Sequence, residues 1–209
     1  MKTPEKDIFF VGYQKKLPPG LRRFIPVVAL ALIILAATFG YGLVRQSDVP
    51  DAGRFRWDFG PQEVTGVVRM APYPTLTVSE ATERFQAGRV LLLSGQGKRG
   101  PNLGDASDGD VVQLRGIVIQ RGALEMLQVG RRMASQAQAP DLPADEPLGR
   151  WKLTGEICDG KCLAGAMRPG TGLAHKACAN LCLTGDVPPV FVASEPLIND
   201  LVGSEFLLV

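Results

Sequence analysis

The strongest pattern in the chain is an unbroken apolar run: from Ile25 to Val44 (IPVVALALIILAATFGYGLV), 20 consecutive residues carry no charge. At ~1.5 Å rise per residue such a run spans the ~30 Å hydrocarbon core of a bilayer, and it predicts a transmembrane helix over 25–45. A stretch without period follows, 46–62, which reads as a tether. The pattern then changes to short pieces of apolar and polar alternation, around Glu63 to Met70, Thr75 to Val78, Arg89 to Leu93, Val111 to Gln120 and Ala123 to Val129. A period of two sends successive side chains to opposite faces of a strand. Arg121-Gly122, between the last two pieces, marks a tight hairpin turn. SEATERFQA, Ser79 to Ala87, opens on a Ser cap and predicts a short helix.

Residues 63–132 therefore predict a first small antiparallel β unit. The Ala-, Pro- and acid-rich stretch 133–149 has no apolar period and reads as a linker. A second β unit over 150–209 is expected to hold a strand from Arg150 to Cys158, a helix opening at His175, a strand from Val190 to Ala193, a short helix near Pro196 to Val202, and a last strand from Phe206 to Val209. LTGEI (153–157) repeats the pattern of VTGVV (64–68), so the two units read as a possible duplication. The expected fold class is mainly β: an N-terminal transmembrane helix followed by one or two small antiparallel barrel or sandwich units, OB-like, with short helices.

Charge changes the picture by giving the membrane span a direction. Ahead of it stand Lys2, Lys6, Lys15, Lys16, Arg22 and Arg23 against Glu5 and Asp7 alone, while the residues just after it are balanced. The positive-inside rule puts a tail, 1–24, in the cytoplasm and the rest outside the inner membrane, in the periplasm. A cleaved signal is the competing reading, but the run is long for one and no A-x-A site follows it. Within the tail, Phe9, Phe10, Val11, Tyr13, Leu17 and Phe24 share one segment with Lys15, Lys16, Arg22 and Arg23, a mixture suited to the membrane interface or to packing on other integral membrane subunits. A formal charge of +2 with 21% charged residues leaves no basic face for nucleic acid.

The chemistry is concentrated near the C-terminus. All four cysteines, Cys158, Cys162, Cys178 and Cys182, and the only histidine, His175, fall within 25 positions. Positions 178 and 182 are one helical turn apart on one face, with 175 nearly above them. With Cys162 they form a Cys3His set, for which zinc is the preferred ion and copper or an iron–sulfur cluster the alternatives. Disulfides are the competing reading and the favoured one, because thiols outside the cytoplasm are oxidised and a small unit needs staples; Cys162 with Cys178 or with Cys182 is such a pairing. Elsewhere the loop SGQGKRG fails as a phosphate-binding loop because Lys98 is followed by Arg99, and it reads as a turn between strands. Asp105, Asp108 and Asp110 lack the spacing of a calcium loop. One histidine leaves no second one for a Ser-His-Asp triad, and no catalytic residue is expected.

Gly155, Glu156, Ile157, Asp159, Lys161, Cys162, Pro169, Gly170, His175, Cys178, Ala179, Cys182, Gly185, Pro188 and Pro189 form the pattern G-E-I-x-D-x-K-C, P-G, H-x-x-C-A-x-x-C-x-x-G-x-x-P-P. This pattern resembles a domain of membrane-anchored bacterial envelope proteins without an established activity. That pattern has an aliphatic residue at the place of Cys158. The resemblance therefore implies that Cys162, His175, Cys178 and Cys182 belong together, an odd number of cysteines, which favours a bound metal or one free thiol. The expected function is that of a single-span accessory subunit of a larger membrane complex, of an electron-transfer kind. The alternative is a metal-binding or thiol-redox protein of the periplasm.

Overall fold

The charge-free run lies inside helix α1, Leu21–Ser47, of 27 residues. The computed structural model describes residues 17–47, 51, 53–133, 150, 152–194 and 205–207, and the chain divides into two compact units, 1–47 and 48–209. Aliphatic residues without an acid or amide to compete for the backbone favour a continuous helix. The hydroxyl of Thr38 is satisfied locally by donating to the carbonyls of Ile34 and Leu35, both at 3.0 Å. The helix is long and apolar enough to cross a membrane, a test that an N-terminal signal sequence also passes. The aromatic and basic stretch of the tail ahead of Leu17 lies outside the described residues.

In the second unit the alternating stretches are strands with nearly the expected bounds. They are β2 (Gln62–Arg69), β3 (Thr75–Val78), β4 (Val90–Ser94), β5 (Val111–Arg121) and β6 (Leu124–Met133), preceded by a two-residue β1 (Arg54–Phe55). The segment expected to be a tether thus has structure of its own, since Arg54 and Phe55 pair with Gln120 and Ile119 of β5 and a 3-10 turn follows at Trp57–Phe59. Antiparallel pairings join β5 to β2, β2 to β3 and β3 to β4. A parallel pairing joins β4 to β6, and the β5–β6 hairpin returns to the starting strand. Arg121 faces Leu124 across that hairpin, so Gly122 and Ala123 form the loop; Gly122 has φ +54°, which a glycine adopts without steric cost.

Alternation fills one face of these strands with Val64, Val68, Leu76, Val78, Val112 and Leu114, each at most 1% exposed. The opposite face carries Leu92, Ile119 and Met126, which pack on Cys158, Leu163, Ala164 and Val190 of the following segment. That segment forms a second sheet in the order β7 (Gly155–Asp159), β8 (Pro189–Ala193), β9 (Glu205–Leu207), with helix α2 (Lys176–Thr184) between β7 and β8. The short helix expected at 79–87 is absent. Ser79 instead extends the sheet by donating its amide to Thr65, and the Thr82 side chain accepts the amide of Phe85 while the Thr82 amide donates to the Phe85 carbonyl. This closed turn buries Phe85, 3% exposed. The linker from Ala134 onward and the helix expected near Pro196 to Val202 lie outside the described residues.

Candidate metal centre

The site is assembled by three short elements that meet at Cys162. Strand β7 ends at Asp159, and because alternate strand residues face opposite sides, Cys158 turns into the core while Asp159 turns toward α2. After Gly160 and Lys161 the chain enters a wide helical turn, Cys162–Ala166. The Asp159 carboxylate holds the start of that turn, its Oδ1 accepting the Cys162 amide at 2.8 Å. Its other oxygen, Oδ2, is 2.8 Å from His175 Nε2, and both side chains are buried, at 0% and 3% exposure. The pair thereby ties β7 to the first turn of α2. From there Cys178 and Cys182 project on one face, four positions apart.

The Sγ atoms of Cys162, Cys178 and Cys182 all lie within 4.8 Å of one another. Cys162 Sγ is 3.9 Å from Cys178 Sγ and 3.9 Å from Cys182 Sγ. A disulfide bond measures about 2.05 Å, and all four cysteines are free, so the disulfide staples expected on grounds of compartment are not formed. The reason is local: the cysteines sit on three elements already joined by hydrogen bonds and core packing, and the sulfurs face a common point without facing each other in a pair. Sulfurs ~2.3 Å from one tetrahedral ion stand about 3.8 Å apart. The observed separation matches that edge. An iron–sulfur cluster would divide the three cysteines between at least two irons and hold at least one sulfur further from the others.

Two of the expected members occupy other places. Cys158 is 2% exposed among Leu92, Ile119, Met126 and Val190, where burial pushes its thiol up to about 12, aided by Glu156 and Asp159. His175 joins Asp159 and Cys162 in a second close group and is not one of the three-sulfur set. The Cys3His set is thus split into a trithiol group and a group of Asp159, Cys162 and His175 that shares Cys162 with it.

Burial raises two thiols of the set as well. Cys182 is pushed up to about 11, by burial first and by Asp159 next, and Cys162 is raised further by the same two causes. In the absence of a metal ion burial favours the protonated form of these two. A metal ion that supplies positive charge among them exchanges those protons for metal–sulfur bonds.

Lys98, which sequence reading did not place at the site, comes from the loop between β4 and β5, read from the sequence as a turn between strands. Lys98 Nζ donates to Cys178 Sγ at 2.6 Å and lies 3.9 Å from Cys182 Sγ; the contact with Cys178 is the main cause of its raised pKa. The loop is held down from below by Lys161, 4% exposed, whose Nζ donates to the carbonyls of Gly95 at 2.6 Å and Gly97 at 2.8 Å. Burial lowers the Lys161 pKa, against the pull of Cys182, Cys162 and Asp159. Met167 adds a fourth sulfur, its Sδ 3.3 Å from Cys178 Sγ. The glycine pattern of residues 95–100, at a sharp return of the chain, was the only signal in the sequence that this loop has a close neighbour. Comparison with known proteins returns no matching family model, no matching curated protein and no matching solved structure.

Proposed function

We propose that this chain is a membrane-anchored metal-binding protein of the bacterial envelope, in which Cys162, Cys178 and Cys182 bind one soft or borderline cation, zinc(II) first and copper(I) second, on the periplasmic side. The observation that carries the reading is the pair of 3.9 Å sulfur separations converging on Cys162. It favours an ion over a thiol-redox pair because neither partner is closer to Cys162 than the other. Charge agrees with a divalent ion: three thiolates and Asp159 sum to −4, Lys98 and Lys161 return +2, and the ion supplies the remainder.

In the same reading the five strands β2 to β6 form a small OB-like barrel. Supporting it are the ring of pairings that returns to β5 and the parallel contact between β4 and β6 within an otherwise antiparallel set. Such a scaffold holds the loop carrying Lys98 against the thiols, and α1 keeps the whole at the membrane surface, with the basic residues ahead of it on the cytoplasmic side.

The test is metal analysis on detergent-purified full-length protein after chelation and reloading. One zinc per chain is expected for the native sequence and for Cys158→Ala, and none for Cys162→Ser or Cys178→Ser. Native protein that retains no metal and whose thiols all react freely would sink the proposal.

A further inference from the structure

We propose that the trithiol site leaves its fourth coordination position to a ligand from outside the chain, a thiolate, and that Lys98 recruits it. This rests on the metal-binding reading above and adds that the ion is held for exchange, not locked in as a structural one. Structural zinc sites close with four protein ligands, whereas three ligands and an open position are how proteins hold an ion whose fourth partner changes.

The donor count comes first. Among the described residues the only close groups of three or more Cys, His, Asp or Glu ligands are the two that share Cys162, and neither Asp159 nor His175 lies within 4.8 Å of all three sulfurs. No fourth ligand of these types completes the three-sulfur group. The site is also asymmetric. Cys162 and Cys182 close its back at 4% and 1% exposure, while at the front Cys178 is half-buried and its neighbour Met167 is 44% exposed. Lys98 stands on that front, over the edge between Cys178 and Cys182. A protonated ammonium offers hydrogens and no lone pair, so it cannot fill the position itself; what it adds at the mouth is positive potential, which draws in an anion.

The arrangement is built in advance of any ligand. Lys161 fastens the loop through Gly95 and Gly97, and the Gly100 amide donates to the Gly185 carbonyl, at the end of α2, at 2.7 Å. A thiol entering this mouth gives its proton to solvent. The resulting thiolate forms one metal–sulfur bond, and a metal-bound water leaves, with no change of oxidation state.

Cobalt(II) loaded into the chelator-stripped, full-length protein in detergent reads the fourth position directly. Titration with 2-mercaptoethanol is expected to raise the sulfur-to-cobalt charge-transfer absorbance by about one third, as three thiolate bonds become four. A parallel titration with a peptide holding one cysteine identifies the source: the peptide saturating at lower concentration assigns the position to a protein partner, the reverse to a small thiol. Lys98→Ala is expected to bind cobalt and to need about tenfold more thiol, and Lys98→Arg to restore the native titration. Cobalt bands that ignore both thiols, or a resting spectrum changed by Met167→Leu alone, would overturn the proposal while leaving metal binding intact. Failure to take up cobalt at all would overturn both readings.

Discussion

Cys158 and Cys162 show how much the environment of one sulfur decides. The first packs as an apolar group in the layer between the two sheets, and the second has its backbone tied to Asp159 and its sulfur turned to α2. Removing the Cys158 sulfur therefore costs packing alone, about 1 kcal/mol in Cys158→Ala, read as a shift in a urea midpoint with metal content unchanged. The same residue has a signature in alkali. Its pKa is raised by folding from 9.0 to about 12, so above pH 9 the unfolded chain releases a proton that the folded chain keeps. Stability of the metal-free protein falls as pH rises from 9 toward 12, and below 9 this group contributes no slope. Denaturation of metal-free native protein and Cys158→Ala across that window should show the smaller loss in the variant; equal losses would mean the thiol titrates as it does in the unfolded chain. The two cysteines could not be told apart by spacing, because C-x-x-x-C places both on one face only where the chain is helical, and here one lies on a strand and the other in a turn.

At the scale of elements, strands with strict alternation were legible to within a residue or two, as β3 at Thr75–Val78 shows, since burial on one face and exposure on the other leave a period of two. The loop over the site was not legible, because its partner is far along the chain. There the junction with α2 is tight: a Cβ on Gly185 would clash with the Lys98 carbonyl. Gly185→Ala must part the loop from the helix while leaving the strands that form the main core in place. The expected result is a folded protein with roughly tenfold weaker metal binding, measured by competition with a chromogenic chelator, and an unchanged circular dichroism spectrum. Unchanged affinity would show that the loop contributes nothing to the centre.

For the whole molecule the issue is which side of the membrane holds the thiols. If α1 spans the bilayer with its basic flank inside, a membrane-impermeant maleimide added to chelator-treated spheroplasts of a bacterial host should label the half-buried Cys178 in intact cells as fully as after lysis. Cys178→Ser should remove most of that labelling, and labelling only after lysis would reverse the orientation. The sequence alone determined the apolar helix, the charge asymmetry about it, the β character of 63–132 and the clustering of the sulfur residues, because each is a local pattern written in neighbouring positions. Only the tertiary structure decided that Cys158 is core, that His175 lies against Asp159, that no sulfurs are at bonding distance from each other, and that Lys98, 80 positions from Cys178, lies against it. Those outcomes depend on which faces of distant elements are buried against each other, and hydrophobic packing selects faces without leaving a spacing in the chain.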